Sequence, residues 1–331
     1  MKILFLGTNE FDYLQDLTFV GLVKVLGRDN VLEYSLNTNY LLPLKKYPRN
    51  IGYTGFGPGL FKSLFVGFRD VDCVIVPAAK PRCFELYEKI VPLIKSSVKT
   101  VFIDGGDWPE IGGDLKRLHD NQIYNRVTGK RPFDIIFKRE FFKNTQYEKN
   151  IFPLPFSINA NLYNNIQVLP FKYDVSFWAV ESHPIRTQAL SLLENHFDCL
   201  ENGTVLNQNF RRYKRKGKRY FEELVRSRIL LNMRGAGWDT LRYWEIFGLQ
   251  RFMLSQRLDI LIPHDFEENK EIVYFNNDLS DLEDLCNFYL KNEALREKIA
   301  VKAHQKAIIY HTDVARARYI LETIEKLLNY L

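Results

Sequence analysis

The chain opens on a short apolar run, Ile3 to Leu6, then an amphipathic stretch from Leu14 to Leu26 and a second apolar run from Val31 to Tyr34. Short apolar runs that alternate with helix-length amphipathic stretches predict parallel strands joined by crossover helices. The rhythm continues through Cys73-Val74-Ile75-Val76, a helical Phe84 to Ile94, Thr100-Val101-Phe102-Ile103 and Asp134-Ile135-Ile136-Phe137, which together predict one open α/β sheet. From Phe152 to Pro170, prolines at 153 and 155 and asparagines at 159, 161, 164 and 165 break both periods, and the segment reads as a connection. A second strand and helix series follows: Tyr173 to Val180, Ile185 to Leu193, Cys199 to Val205, Tyr220 to Ser227 and Ile229 to Met233. Ser280-Asp281-Leu282-Glu283 is spaced as a capping box opening a helix through Leu290, and another helix runs from about Glu293 to Tyr310. Beyond Asp313, Ala317, Ile320, Leu321, Ile324, Leu327, Leu328 and Leu331 share one helical face.

Composition fits this picture and narrows it. With 331 residues, 46% hydrophobic and 26% charged, the chain has apolar material for two domains. No run of about 18 apolar residues occurs, and Met1-Lys2-Ile3-Leu4-Phe5-Leu6-Gly7 turns polar too soon for a signal peptide, so a cytoplasmic protein without a transmembrane segment is expected. Cysteines at 73, 83, 199 and 286 form no C-x-x-C pair, which predicts reduced core thiols. A net charge of +6 is too small for a protein that coats nucleic acid, and it suits a partner carrying phosphates.

Several chemistries fall away on motif grounds. The first strand-to-helix turn, Gly7-Thr8-Asn9-Glu10-Phe11-Asp12, has one glycine, short of a dinucleotide fingerprint. The glycines at 52, 55, 57 and 59 follow no clear strand and lack a phosphate-loop lysine. The six histidines show no metal-protease spacing, and His304 and His311, seven apart, read as a packing and a capping residue. No G-x-S-x-G elbow occurs, and no metal or cofactor is expected.

What remains is dense in polar residues: Asn232-Met233-Arg234-Gly235-Ala236-Gly237-Trp238-Asp239, at the end of the strand Ile229 to Leu231, then Arg242-Tyr243-Trp244-Glu245 on a helix. Gly235 and Gly237 let backbone N–H groups approach an anion, the helix presents its positive end there, and Arg234 and Arg242 can bind a diphosphate. The alternative is an ordinary helix start with Asp239 in its first turn and Arg242 paired with Glu245. Position favours a site, because ligands of open α/β sheets bind at the carboxyl ends of strands. His183, after the second unit's first strand, and Arg186 in the next helix are further candidates. Seven cations lie between Arg211 and Arg219; a solvated loop is the plain reading, while Arg215 and Lys218 are the candidates to close over donor phosphates. The same run, with Tyr213 and Tyr220 interleaved, suits an anionic acceptor, whether nucleic acid, glycan or a lipid-linked phosphate. In the first half, Asp104 and Asp107 follow a strand on a glycine-rich loop and are candidate bases, with Asp239 the third carboxylate, and Trp108 a candidate sugar platform. A plain aspartate-capped turn explains Asp104 and Asp107 equally well. Gly7, Thr8 and Asn9 are acceptor-side candidates.

The run from Tyr220 to about Arg318 resembles the C-terminal half of the spore-maturation CgeB-like glycosyltransferases, relatives of the retaining two-domain GT4-type group. The resemblance rests on Arg242-Tyr243-Trp244-Glu245-Ile246-Phe247-Gly248, Glu271-Ile272-Val273-Tyr274-Phe275, Leu290-Lys291-Asn292, His311-Thr312 and Arg316. It implies an α/β GT-B architecture of two facing Rossmann-like domains and transfer from a nucleotide-diphosphate sugar, such as a UDP sugar, with retention. Residues 1–158 then form the acceptor domain, 159–312 the donor domain, and 313–331 a helix packing back on the first. It also implies that Glu245 holds the nucleotide ribose and that a second glutamate is expected eight residues earlier, where this chain has Gly237. That departure keeps open a non-catalytic nucleotide-binding or assembly protein on the same fold.

Overall fold

The computed structural model describes residues 1–34, 37–41, 51–54, 70–159, 161, 163, 167, 169–179, 182–194, 196–197 and 217–329. The chain divides into two compact units, Met1–Ser157 with Ile260–Pro263 and Asp313–Leu331, and Ile158–Asp259 with His264–Thr312.

Unit 1 holds the strands Ile3–Phe5 (β1), Val31–Glu33 (β2), Cys73–Val76 (β3), Lys99–Asp104 (β4), Ile135–Lys138 (β5) and Ile151–Pro153 (β6). They pair in parallel in the order β2-β1-β3-β4-β5-β6, so the order reverses between β1 and β3. Helices Tyr13–Leu26 (α1), Pro81–Ile90 (α2), Gly113–Leu118 (α3) and Ile123–Lys130 (α4) supply the crossovers described here. The stretch read as one helix to Ile94 ends at Ile90, and Val91–Leu93 tightens into a 3-10 turn around Pro92, which has no N–H for the helical ladder. β6 lies inside the segment read as a connection. It is an edge strand, where the missing N–H of Pro153 costs no ladder bond. An aromatic core made by Phe84, Tyr87, Phe102 and Phe133 fills one face, with ring centroids 4.8–6.0 Å apart in their contacts; burying each contributes about 1.5–3 kcal/mol. The terminal helix Asp313–Asn329 packs along α1, and so closely that a side chain at Gly21 would meet the Asp313 carbonyl oxygen at 2.3 Å. Cys73, Cys83 and Cys286 are free and buried; Cys199 lies outside the described residues.

Unit 2 holds Tyr173–Ser176 (β7), Ser227–Asn232 (β8), Met253–Gln256 (β9) and Val273–Phe275 (β10), parallel in the order β10-β9-β8-β7. Its helices are Pro184–Leu193 (α5), Lys218–Val225 (α6), Leu241–Gly248 (α7), Leu282–Lys291 (α8) and Glu293–Tyr310 (α9). β8 is buried except at Arg228, and its apolar residues pack with those of α5, α8 and α9. The capping box before α8 does not form: the Ser280 hydroxyl donates to Asp278, and the Asp281 carboxylate accepts the Asn276 N–H instead. The expected element Cys199 to Val205 lies outside the described residues. No helix among the described residues is long and apolar enough to cross a membrane.

Candidate functional site

The site is built on the carboxyl ends of β7 and β8. The turn after β8, Met233–Thr240, is held from three sides. Arg186, on α5 and only 5% exposed, donates to the carbonyls of Met233 at 3.0 Å and Arg234 at 2.8 Å and to the Ser182 hydroxyl at 2.8 Å. Gln256, at the end of β9, accepts the Arg234 N–H at 3.1 Å and donates to Asn277. Within the turn, the Gly235 N–H donates to the Gly237 carbonyl. Gly235 is there for space: a side chain would stand 3.1 Å from the Ser182 hydroxyl and 3.2 Å from the Arg186 guanidinium.

The charges at this turn are mostly positive. Arg234 lies over the Trp238 ring, and the guanidiniums of Arg186 and Arg242 both lie over the Phe177 ring, 5.2 and 4.6 Å from its centroid. Burial, with the Arg242 charge adding, pushes the Arg186 pKa down to about 9. Burial, then the charges of Arg234 and Arg186, hold His183 below the usual histidine range. His183 also caps α5, its Nδ1 accepting the Ile185 N–H. Cations that lower one another's pKa are a standing attraction for an anion. The N-cap of α7, Thr240, turns its hydroxyl to the Asn232 amide oxygen at 2.7 Å instead of capping the helix. The amino end of α7 therefore keeps its dipole for a ligand.

Each predicted residue of unit 2 can be placed against this frame. Asn232 is fully buried and joins Ser255 of β9 to Thr240, so it shapes the turn from behind. Asp239 is buried and accepts from the Trp244 indole at 2.7 Å. Arg242 is buried and its Nε donates to the Trp178 carbonyl. Glu245, 3% exposed, accepts from the Tyr220 hydroxyl at 2.6 Å, and burial pushes its pKa up to about 8. Lys218 opens α6, exposed and 3.6 Å from Glu222; Arg215 lies outside the described residues. His304 donates from Nδ1 to the Phe247 carbonyl at the end of α7, and His311 is buried against Trp244 and Phe266.

In unit 1 the predicted residues divide sharply. Asp104 is fully buried: its carboxylate accepts from the N–H groups of Gly106 and Gly112 and from Lys138 Nζ at 3.0 Å. It anchors the β4–α3 loop. Asp107 pairs with Arg139 and stays 34% exposed. Trp108 is exposed on the same loop, with the Arg117 guanidinium 4.2 Å from its ring centroid. In the β1–α1 turn, Gln15 clamps Thr8 by accepting its N–H and donating to its carbonyl. A side chain at Gly7 would press on that same amide at 3.3 Å. Asn9 is exposed and bonds to Thr38 and Asn39. Gln15, Gln256 and the Tyr220 contact are the parts that sequence reasoning did not assign to the sites.

A family model described as glycosyl transferase-like matches residues 188–322. No curated protein matches the chain. Among solved structures, the chain is similar to an α-glucosyltransferase in complex with UDP and a DNA 13-mer containing a central A:G mismatch, at 11% identity and TM-score 0.59 over 97% of this chain and 98% of that one. It is also similar to HepE from Anabaena in complex with UDP and glucose, at 10% identity and TM-score 0.62 over 98% and 99% of the two chains. The α-glucosyltransferase with UDP-glucose and DNA containing an abasic site matches at TM-score 0.58 and 11% identity, over 97% and 98%. At these identities the likeness concerns the fold, which is the α/β GT-B fold with parallel sheets.

Proposed function

We propose that the chain is a glycosyltransferase that holds a UDP sugar on unit 2 and transfers the sugar to an acceptor presented by unit 1. The observation that carries this reading is the turn Met233–Thr240, where Arg186, Arg234, Arg242 and His183 gather at the carboxyl ends of β7 and β8 beside the open amino end of α7. The match over 188–322 spans that turn, and the similar solved enzymes carry UDP. Of the glycosyltransferases, the CgeB-like type is the one we assign, on Arg242 to Gly248 and the residues beyond.

In the reaction, an acceptor hydroxyl bonds to the anomeric carbon as the bond to the diphosphate oxygen breaks. The electron pair departs with the diphosphate, and the hydroxyl proton passes to a base or to the departing phosphate. Stabilising that charge falls to the guanidiniums of Arg186, Arg234 and Arg242 and to the α7 terminus, which act strongly where water is scarce. On this reading the transfer is metal-independent and retains configuration. Glu245 takes the ribose hydroxyls once Tyr220 gives way. Asp107 is the acceptor-side carboxylate that solvent reaches, whereas Asp239 supports the turn through Trp244. An anionic acceptor suits the cations from 211 to 219, and DNA is the first to try because it accompanies the similar α-glucosyltransferase.

The test is direct. UDP at 100 times its dissociation constant should add about 2.7 kcal/mol to stability, and incubation with UDP-glucose and acceptor should release free UDP. A second reading, a nucleotide binder without transfer, is favoured by Gly237 standing where a second acid is expected. Binding without release of UDP across a panel of sugars and acceptors would select it; neither binding nor release would reject both.

A further inference from the structure

A cavity of about 210 Å³ opens at the other edge of the unit 2 sheet, at the amino ends of β8 and β9. Its walls include Phe171, Arg228, Arg251 and Arg296, with Glu293 and Glu297 of α9 beside them. The charges are arranged by depth. Arg296 is buried, Arg228 and Arg251 are half-buried, and the two glutamates are exposed. Arg228 is paired with the half-exposed Asp174 at 3.1 Å, so the positive charge of the interior rests on Arg251 and Arg296, which act through a lower dielectric than the water-screened glutamates. Arg228 and Arg251 both lie against the Phe171 ring, 5.2 and 5.7 Å from its centroid, which orients their planes. Arg296 is tied by Nη1 to the Tyr289 and Leu290 carbonyls at the end of α8. Arg251 differs: its Nε is buried and has no hydrogen-bond partner among the described residues. Burial pulls its pKa below the usual range, with the Glu297 charge partly opposing. A desolvated guanidinium with an unused donor is a cost that a planar or tetrahedral oxyanion would remove.

We propose that this cavity is a second anion site, taking a phosphate group either as the free ion or as a small phosphomonoester, separate from the turn after β8. The full-length chain is melted in chloride buffers of matched ionic strength, with inorganic phosphate or glycerol 3-phosphate added. Wild type should gain about 2 °C or more in Tm from the better ligand. That gain should persist in Arg234→Ala, which alters the turn, and disappear in both Arg251→Gln and Arg228→Gln. Larger stabilisation by glycerol 3-phosphate at equal concentration assigns the phosphomonoester; equal or smaller assigns the free ion. No gain in wild type, or a gain lost in Arg234→Ala but kept in Arg251→Gln and Arg228→Gln, overturns the proposal. The readout needs no UDP and no turnover, so it stands or falls apart from the transferase reading.

Discussion

The two units treat their buried charged residues in opposite ways. In unit 1, three buried carboxylates are mated to cations: Asp104 with Lys138, Asp313 with Lys24, and Glu33 with Arg28. In unit 2, the guanidiniums of Arg186 and Arg242 reach backbone carbonyls and a ring face, and neither kind of acceptor carries a net charge. A carbonyl satisfies a donor without cancelling its field. Unit 1 thus fixes its loops with internal ion pairs, while unit 2 keeps a positive potential at a turn that a diphosphate can use.

The sharpest way to break this contrast is Asp104. If its carboxylate is structural, Asp104→Ala strands a buried ammonium and two N–H groups, and unfolding in urea should show a loss of about 3–5 kcal/mol. Full stability with abolished turnover would instead make Asp104 a catalytic base and put unit 1 on the same footing as unit 2.

The ion pair of Asp104 is not legible in the sequence. A carboxylate after an apolar strand on a glycine-rich loop has the local pattern of a functional residue, and its partner is 34 positions away. Only the pairing of β4 with β5, which sets Asp104 beside Lys138, reveals the ion pair. The same distance effect hides the bond from Arg186 to the Met233 carbonyl and the bond from Tyr220 to Glu245. By contrast, the strand, turn and helix from Ile229 to Gly248 were legible because the signals are local: an apolar run, two glycines, then helical periodicity. The apolar rhythm predicted most of the strands described here for the same reason, and β6 was hidden because Pro153 looks like a break until its edge position is known.

On the unit 2 side, the next largest effect belongs to Glu245. Glu245→Gln keeps the shape of the side chain and the Tyr220 contact but weakens acceptance from a ribose diol. UDP affinity measured by calorimetry should fall roughly 10-fold, corresponding to about 1.4 kcal/mol, with Tm in the absence of ligand held or raised. An unchanged dissociation constant would remove the ribose role.

One titrating carboxyl in each unit allows a comparison through pH. Burial raises Asp16 in unit 1 and Glu245 in unit 2 each to about 8, the Asp12 charge adding at Asp16. Unfolded carboxyls lose their proton near pH 4, so between about pH 4 and pH 8 the folded chain binds more protons and stability falls as pH rises. From pH 5 to pH 8 the loss should be on the order of 1 kcal/mol or more per group. Chemical denaturation of Asp16→Asn and Glu245→Gln should each show a flatter profile than wild type; a profile as steep as wild type in either variant would mean that its carboxyl is already ionised at pH 5.

The smallest effect separates a surface pair from a phosphate ligand. Lys218 is exposed and sits one helical turn before Glu222, so as an ordinary pair it contributes about 0.3–0.5 kcal/mol, and Lys218→Ala should barely move the unfolding midpoint. It is also the first residue of α6, the helix whose Tyr220 covers Glu245, and the last but one of seven cations beginning at Arg211. If it closes over donor phosphates, the same substitution should weaken UDP binding several-fold at low salt and lose that effect as salt rises, since an exposed charge acts within a Debye length of about 10 Å at 0.1 M. Unchanged affinity at low salt would leave Lys218 to Glu222 alone, and the positive potential at the turn would then rest on the guanidiniums of Arg186, Arg234 and Arg242.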